Sequence, residues 1–232
     1  MIGMIYKYIY KDKSCELPED FTITAHAGSN DTEDNTIPSL KVAAVSGADV
    51  VEFDLNVDEN GQPVLSHNKP KGGEPLFEDA LKLIAGYEGI RINIDVKDTS
   101  MLDKVQKIVV ENNMLERVFY TGVFPKYVPA VKEKSPLIPY YINCDPNVVG
   151  LSKEEYCQKL TDEVIALGGI GVNIQFLGAL PELLKACREK GLLLSIWTVN
   201  NEDDMRNFLL IGPDNITTEK PTMLRNILEG NL

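Results

Sequence analysis

VVEFDLNV, residues 50–57, alternates Val51, Phe53 and Leu55 with Glu52 and Asp54. Residues two apart in a strand share a face. One face is therefore wholly apolar and suits a covering layer of helices, while the other carries two carboxylates. An exposed sheet edge would show the same pattern, so the neighbouring strands decide. In RINIDVK (91–97), Ile92, Ile94 and Val96 form a second apolar face and turn Arg91, Asn93, Asp95 and Lys97 the other way. In FTITAH (21–26), Phe21, Ile23 and Ala25 face outward, and Thr24 and His26 inward. Three strands that are apolar outside and polar inside read as staves of one closed sheet.

Outward from these, apolar β-rich runs alternate with stretches of helical period. Strands are expected at 21–26, 50–57, 91–97, 118–123, 139–144, 171–176, 192–199 and 215–219. Helices are expected at 37–46, 77–85, 101–113, 126–134, 153–167, 180–190, 202–210 and 222–229. Eight β-then-α units in 232 residues favour a (β/α)₈ TIM barrel, which typically takes about 250 residues, over an open doubly wound sheet. The expected fold is α/β, one domain over 1–232, with residues 1–20 as an N-terminal extension. One element departs from the rhythm. Asn60-Gly61 signals a hairpin after 50–57, and VLSH (64–67) returns along it, bringing His67 toward the strand ends.

Composition bounds the partners. Apolar residues make up 44% and charged residues 25%, ordinary globular values. The net charge of −12 argues against nucleic acid or an anionic membrane as partner, so an anionic substrate needs a local cation. The run Leu192 to Val199 is far short of the roughly 20 apolar residues of a membrane helix. The opening MIGMIYKYIY lacks a leader's long apolar region, and no membrane anchor is expected. Cys15, Cys144, Cys157 and Cys187 lie far apart without CxxC spacing and read as reduced thiols of a cytoplasmic protein.

The expected barrel mouth gathers chemistry. Active sites of such barrels lie at the C-terminal ends of the strands, where His26, Asp54, Asp95 and Lys97 all fall. Two unit charges ~4 Å apart repel by about 4 kcal/mol at an effective dielectric of 20, so Glu52, Asp54 and Asp95 together need compensation. A hard divalent cation, Mg²⁺ or Ca²⁺, would supply it through oxygen ligands. Lys97 is the competing counter-ion. His26 and His67 are the chain's two histidines, each ending a short β run before a loop. Such a pair can serve as general base and general acid near neutral pH.

The stretch ITAHAGSNDTEDNTIPSLKVAAVSGADVVEFDLNVDENGQPVLSHN, followed by INIDVK (92–97), SIWTVN (195–200) and ITTEKP (216–221), resembles the glycerophosphodiester phosphodiesterase family. The ordered motifs span nearly the whole chain. The resemblance implies a (β/α)₈ barrel that cleaves a small-molecule glycerophosphodiester to an alcohol and glycerol 3-phosphate with a divalent metal. It implies Glu52, Asp54 and Asp95 as metal ligands and His26 and His67 as catalytic residues. It also implies Lys97 as the phosphate-binding lysine and Trp197 as an aromatic of the pocket wall, although core packing explains a tryptophan equally well.

The sequence departs from the family pattern in several places. Ala27 stands where the family has arginine, Asn68 where it has aspartate after the second histidine, and Asp95 where it has glutamate. Asp34 takes the acidic place of the Glu-Asn-Thr motif, where helix capping with Asn35 and Thr36 is the competing role. The insertion after His67 is short, so the site should be more open. Parity turns Tyr141, Asn143, Asn173 and Gln175 inward, as candidate contacts for the alcohol portion. Two other readings compete: a non-catalytic phosphate-ligand binder on the same scaffold, and a Schiff-base enzyme using Lys97. Carboxylates around Lys97 disfavour the second by keeping it protonated. A phosphoinositide or lysophospholipid diesterase is a nearer variant.

Overall fold

The computed structural model describes residues 17–146 and 151–231. Cys15 and most of the expected N-terminal extension lie outside them. Eight parallel strands form the barrel: β1 (Thr22–Ala25), β2 (Val50–Val57), β4 (Arg91–Val96), β5 (Val118–Thr121), β6 (Tyr141–Cys144), β7 (Gly171–Gln175), β8 (Leu193–Trp197) and β9 (Asn215–Thr218). A short β3 (Pro63–Leu65) pairs antiparallel with β2, setting Leu55 opposite Leu65. The ladder runs β5-β4-β2-β1-β9-β8-β7-β6. It closes where Tyr120 bridges Tyr140 and where the backbone N–H groups of Tyr120 and Asn143 donate to Pro139 and Val123, each at 2.9 Å. This is the (β/α)₈ barrel expected from the alternation.

Eight helices cover it: α1 (Ile37–Ala44), α2 (Phe77–Ala85), α3 (Leu102–Glu111), α4 (Val128–Lys134), α5 (Lys153–Leu167), α6 (Pro181–Glu189), α7 (Glu202–Ile211) and α8 (Pro221–Leu228). Their ends follow local chemistry. Thr36 accepts from Ser39 N to start α1, and Ser152 with Glu155 forms a capping box on α5. Gly168 and Gly212 end α5 and α7 in the left-handed conformation, with φ of 76° and 80°.

The main core lies between sheet and helices, as strand parity requires. Ile23, Val51, Phe53, Leu55, Ile92, Ile94, Val172, Ile174, Leu194, Ile196 and Ile216 are all buried there. The barrel interior differs. Its lowest tier packs Val50, Phe119 and Tyr141, and the tier above is polar, with Thr24, Glu52, Asn93, Thr121, Asn143, Asn173, Ser195 and Asn215 all buried. A buried polar tier is stable only when its members find partners. Here Thr24 Oγ1 donates to Asn215 Oδ1 at 2.7 Å, Asn215 Nδ2 to Ser195 Oγ at 3.0 Å, and Thr121 Oγ1 to Asn93 Oδ1 at 2.8 Å.

At the opposite end of the barrel from the site, two Gly-x-Asp segments pin neighbouring elements in the same way. Asp49 accepts from Ile23 N at 2.8 Å and pairs with Arg225 of α8 at 2.8 Å. Asp214 accepts from Leu194 N at 2.7 Å and pairs with Arg188 of α6 at 2.6 Å. Among the described residues, no helix is long and apolar enough to cross a membrane.

Candidate active site

The ends of β2 and β4 lie in register, Glu52 beside Asn93 and Asp54 beside Asp95. One oxygen from each of Glu52, Asp54 and Asp95 falls within 4.8 Å of the others. Each carboxylate is held by its own partners. Ala27 N donates to Glu52 Oε2 at 2.8 Å. Asn35 Nδ2 donates to Asp54 Oδ2 at 2.7 Å, and Asn35 Oδ1 accepts from Asp54 N at 2.9 Å. Lys97 Nζ reaches Asp54 Oδ1 at 2.9 Å and Asp95 Oδ2 at 2.7 Å.

Lys97 is thus a counter-ion to two of the carboxylates, but one ammonium cannot balance three anions. Burial pushes the Glu52 carboxyl up to about 8; the charges of Asp54 and Asp95 push the same way, and His26 opposes them. Asp95 is also raised, chiefly by burial and against the pull of Lys97. The Lys97 ammonium is raised: burial alone would lower it, and Asp95 and Asp54 outweigh burial. The second Asp95 oxygen, Oδ1, is buried and has no hydrogen-bond partner among the described residues. Gly122 (φ 71°) makes this approach possible, since a Cβ there would sit 2.1 Å from that oxygen. Three converging carboxylates, one with a buried, unpartnered oxygen and two that hold their protons more tightly than usual for want of compensating charge, fit a hard divalent cation. The acidic cluster is a possible metal site.

Both histidines reach the same pocket, a cavity of about 530 Å³. His26 follows β1. Its Nδ1 lies 3.0 Å from the Ala27 carbonyl. A carbonyl oxygen only accepts, so Nδ1 carries a proton, and in the neutral imidazole Nε2 is the nitrogen with the lone pair. Burial would lower the His26 imidazole, but the charge of Glu52, the hydrogen bond to the Ala27 carbonyl and the charges of Asp54 and Glu219 together raise it above its ordinary value. His67 lies two residues beyond β3 and is exposed. The hairpin is fixed by Asp58, whose Oδ1 accepts from Asn60 N and Gln62 N at 2.9 and 2.7 Å, and by Ser66 N donating to Asp54 O at 3.0 Å.

All seven residues singled out in the sequence line this one cavity: His26, Glu52, Asp54, His67, Asp95, Lys97 and Trp197. Asp34 lines it too, and the N-cap of α1 is Thr36. Of the inward-facing residues on later strands, Asn143 and Asn173 line the cavity. Tyr141 is buried one tier lower against Val50 and Phe119, and Gln175, the last residue of β7, lies outside the lining. Sequence reasoning missed Asn35, Thr121, Gly122 and Phe124. The Asn35 backbone is left-handed at φ 58°, a conformation that asparagine tolerates better than most residues, and that was its available signal.

Carboxylates, two histidines and a lysine at the mouth of a parallel barrel are the working parts of a hydrolase acting on phosphoric esters. The model of the Glycerophosphoryl diester phosphodiesterase family matches residues 25–71 and 74–223, and the chain belongs to that family of phosphoric diester hydrolases. A glycerophosphodiester phosphodiesterase of Caldanaerobacter subterraneus is 27% identical over 244 residues, covering 89% of this chain and 97% of that protein. The crystal structure of a glycerophosphodiester phosphodiesterase from Parabacteroides distasonis aligns with TM-score 0.74 at 20% identity, covering 91% of this chain and 98% of that one. A phosphodiesterase of Oleispira antarctica, solved with the product sn-glycerol-3-phosphate, aligns with TM-score 0.72 at 17% identity over 92% of this chain and 97% of that one.

Proposed function

We propose that this chain hydrolyses glycerophosphodiesters to glycerol 3-phosphate and an alcohol, with Glu52, Asp54 and Asp95 holding a divalent cation, Mg²⁺ or Ca²⁺. The observation that carries this reading is the convergence of three carboxylates and both histidines on one cavity. When bound, the cation supplies positive charge beside the phosphoryl oxygens and acidifies the attacking hydroxyl.

The chain's own residues do the rest. Lys97, kept protonated by Asp54 and Asp95, offers its ammonium to a non-bridging oxygen. His26 accepts the proton of the attacking hydroxyl at Nε2, since Nδ1 is committed to Ala27 O. His67, exposed at the rim, gives a proton to the leaving alkoxide. Trp197 forms part of the pocket wall. Ala27 is buried and gives Glu52 its backbone N–H, so in place of the arginine the phosphate charge falls to the cation and Lys97. The free thiols of Cys144, Cys157 and Cys187 support a reducing, cytoplasmic setting.

A panel of glycerophosphodiesters assayed with Mg²⁺, Mn²⁺ and Ca²⁺ tests the reading. Cation-dependent release of glycerol 3-phosphate is expected. Tight phosphate-ester binding without turnover under any cation would make the chain a binder instead.

A further inference from the structure

The polar tier of the barrel holds two asparagines side by side on β6 and β7, in register with each other. Both are buried, with 9% of Asn143 and 6% of Asn173 exposed, and both line the cavity, on the second and third strands round the barrel from β4. Their orientations are fixed by a chain of donors. Gly122 N donates to Asn143 Oδ1 at 2.9 Å. A backbone N–H can only donate, so this end of the Asn143 amide is oxygen. Asn173 Nδ2 donates to the same oxygen at 3.0 Å, which fixes Asn173 in turn. One free end remains on each residue: the Nδ2 donor of Asn143 and the Oδ1 acceptor of Asn173. Neither has a hydrogen-bond partner among the described residues, and neither is sealed from the cavity.

A donor next to an acceptor suits a group that both accepts and donates. A phosphodiester oxygen only accepts, and the Asn173 carbonyl would repel it. A hydroxyl satisfies both ends. Building on the diesterase reading above, we propose that Asn143 and Asn173 form a hydroxyl-recognising pair that binds the polyol part of the substrate, further round the barrel wall from the carboxylates that handle its phosphate. Sites built to bond a hydroxyl discriminate strongly against analogues lacking one, because the site's own polar groups are then left unpaired.

The test compares two ligands with the same phosphate, glycerol 3-phosphate and methyl phosphate, by calorimetric titration of the Mg²⁺-supplemented protein. The wild type is expected to prefer glycerol 3-phosphate by at least about tenfold, and Asn143→Asp and Asn173→Ser should each bring that preference toward unity. Asn143→Asp keeps an acceptor for Gly122 N and Asn173 Nδ2 while removing the outward donor, so it separates recognition from folding. Using a ratio cancels the new charge's general repulsion of phosphate. A wild type without preference, or a preference that both variants retain, overturns the pair. Absence of diester turnover beside a preference that both variants abolish would overturn the hydrolase reading and leave the pair standing.

Discussion

Asn35 grips Asp54 at two points, donating from Nδ2 to the carboxylate at 2.7 Å and accepting from the backbone N–H at 2.9 Å. Both residues are buried, so neither bond has water as a ready substitute. The left-handed turn at Asn35 lets the chain fold back from the β1–α1 loop onto β2, and Thr36 then starts α1. The grip leaves one Asp54 oxygen for Lys97 and the cation while fixing its direction. Groups that orient metal ligands typically matter ten- to a hundredfold in metal affinity. Asn35→Ala should therefore weaken Mn²⁺ binding by about that factor, measured by calorimetry. Unchanged affinity would show that Asp54 needs no such support.

Lys97 has two roles that one substitution separates. As counter-ion it compensates Asp54 and Asp95, and as phosphate ligand it binds substrate. Charge-assisted bonds are worth about 1.5–3 kcal/mol, so Lys97→Met should lower kcat/KM by roughly ten- to a hundredfold. The same change leaves two carboxylates unpaired and should lower the melting temperature without metal. Added Mn²⁺ should then raise that temperature more in the variant than in the wild type. A loss of activity with no change in metal-free stability would leave only the phosphate role.

The barrel and the ionisable half of the site were legible because both rest on the two-residue period of strands. Val51, Phe53, Ile92 and Ile94 announce the outer face, and Glu52, Asp54 and Asp95 follow from it. Parity fails where a strand stops. Gln175 ends β7, the chain then turns through 176–178, and the side chain leaves the cavity. Nor does parity measure depth: Tyr141 does point inward, but into the lowest tier. Gly122 and Asn35 act by touching strands distant in sequence, and a local reading cannot place such contacts.

The charge state of Glu52 makes metal binding depend on pH. Its carboxyl titrates near about 8 in the fold against an ordinary 4.5. A group raised in the folded state stabilises fully below its unfolded value, and that contribution fades as pH rises through the folded one. The metal-free protein should therefore lose stability between about pH 4.5 and 8, and the raised Asp95 adds in the same direction. A cation needs the ionised carboxylate and so displaces the proton. The gain in melting temperature from Mn²⁺ should grow across that window. A gain independent of pH would mean that Glu52 is not a ligand.

The two histidines should separate by leaving group. General acid and general base catalysis each typically contribute 10²–10⁴-fold, so His26→Ala and His67→Ala should each lose about that much on a glycerophosphodiester with an alkyl alcohol. His26 Nε2 is the free acceptor next to the carboxylates, while His67 stands at the rim, where an alcohol would depart. A nitrophenyl leaving group departs with little need of a proton. On the corresponding nitrophenyl diester, His67→Ala should recover most of its lost kcat and His26→Ala should recover little. The pH profile gives a second check. His26 must be unprotonated to act as base, and its imidazole is raised mainly by Glu52, with Glu219 also contributing against the effect of burial. Activity should therefore rise with pH as His26 loses its proton; in the metal-free protein, followed by NMR, that titration should lie above the ordinary 6.5, and Glu219→Gln should lower it. If the nitrophenyl diester rescues His26→Ala instead, the acid and base exchange places, and equal rescue of both would remove the distinction between them.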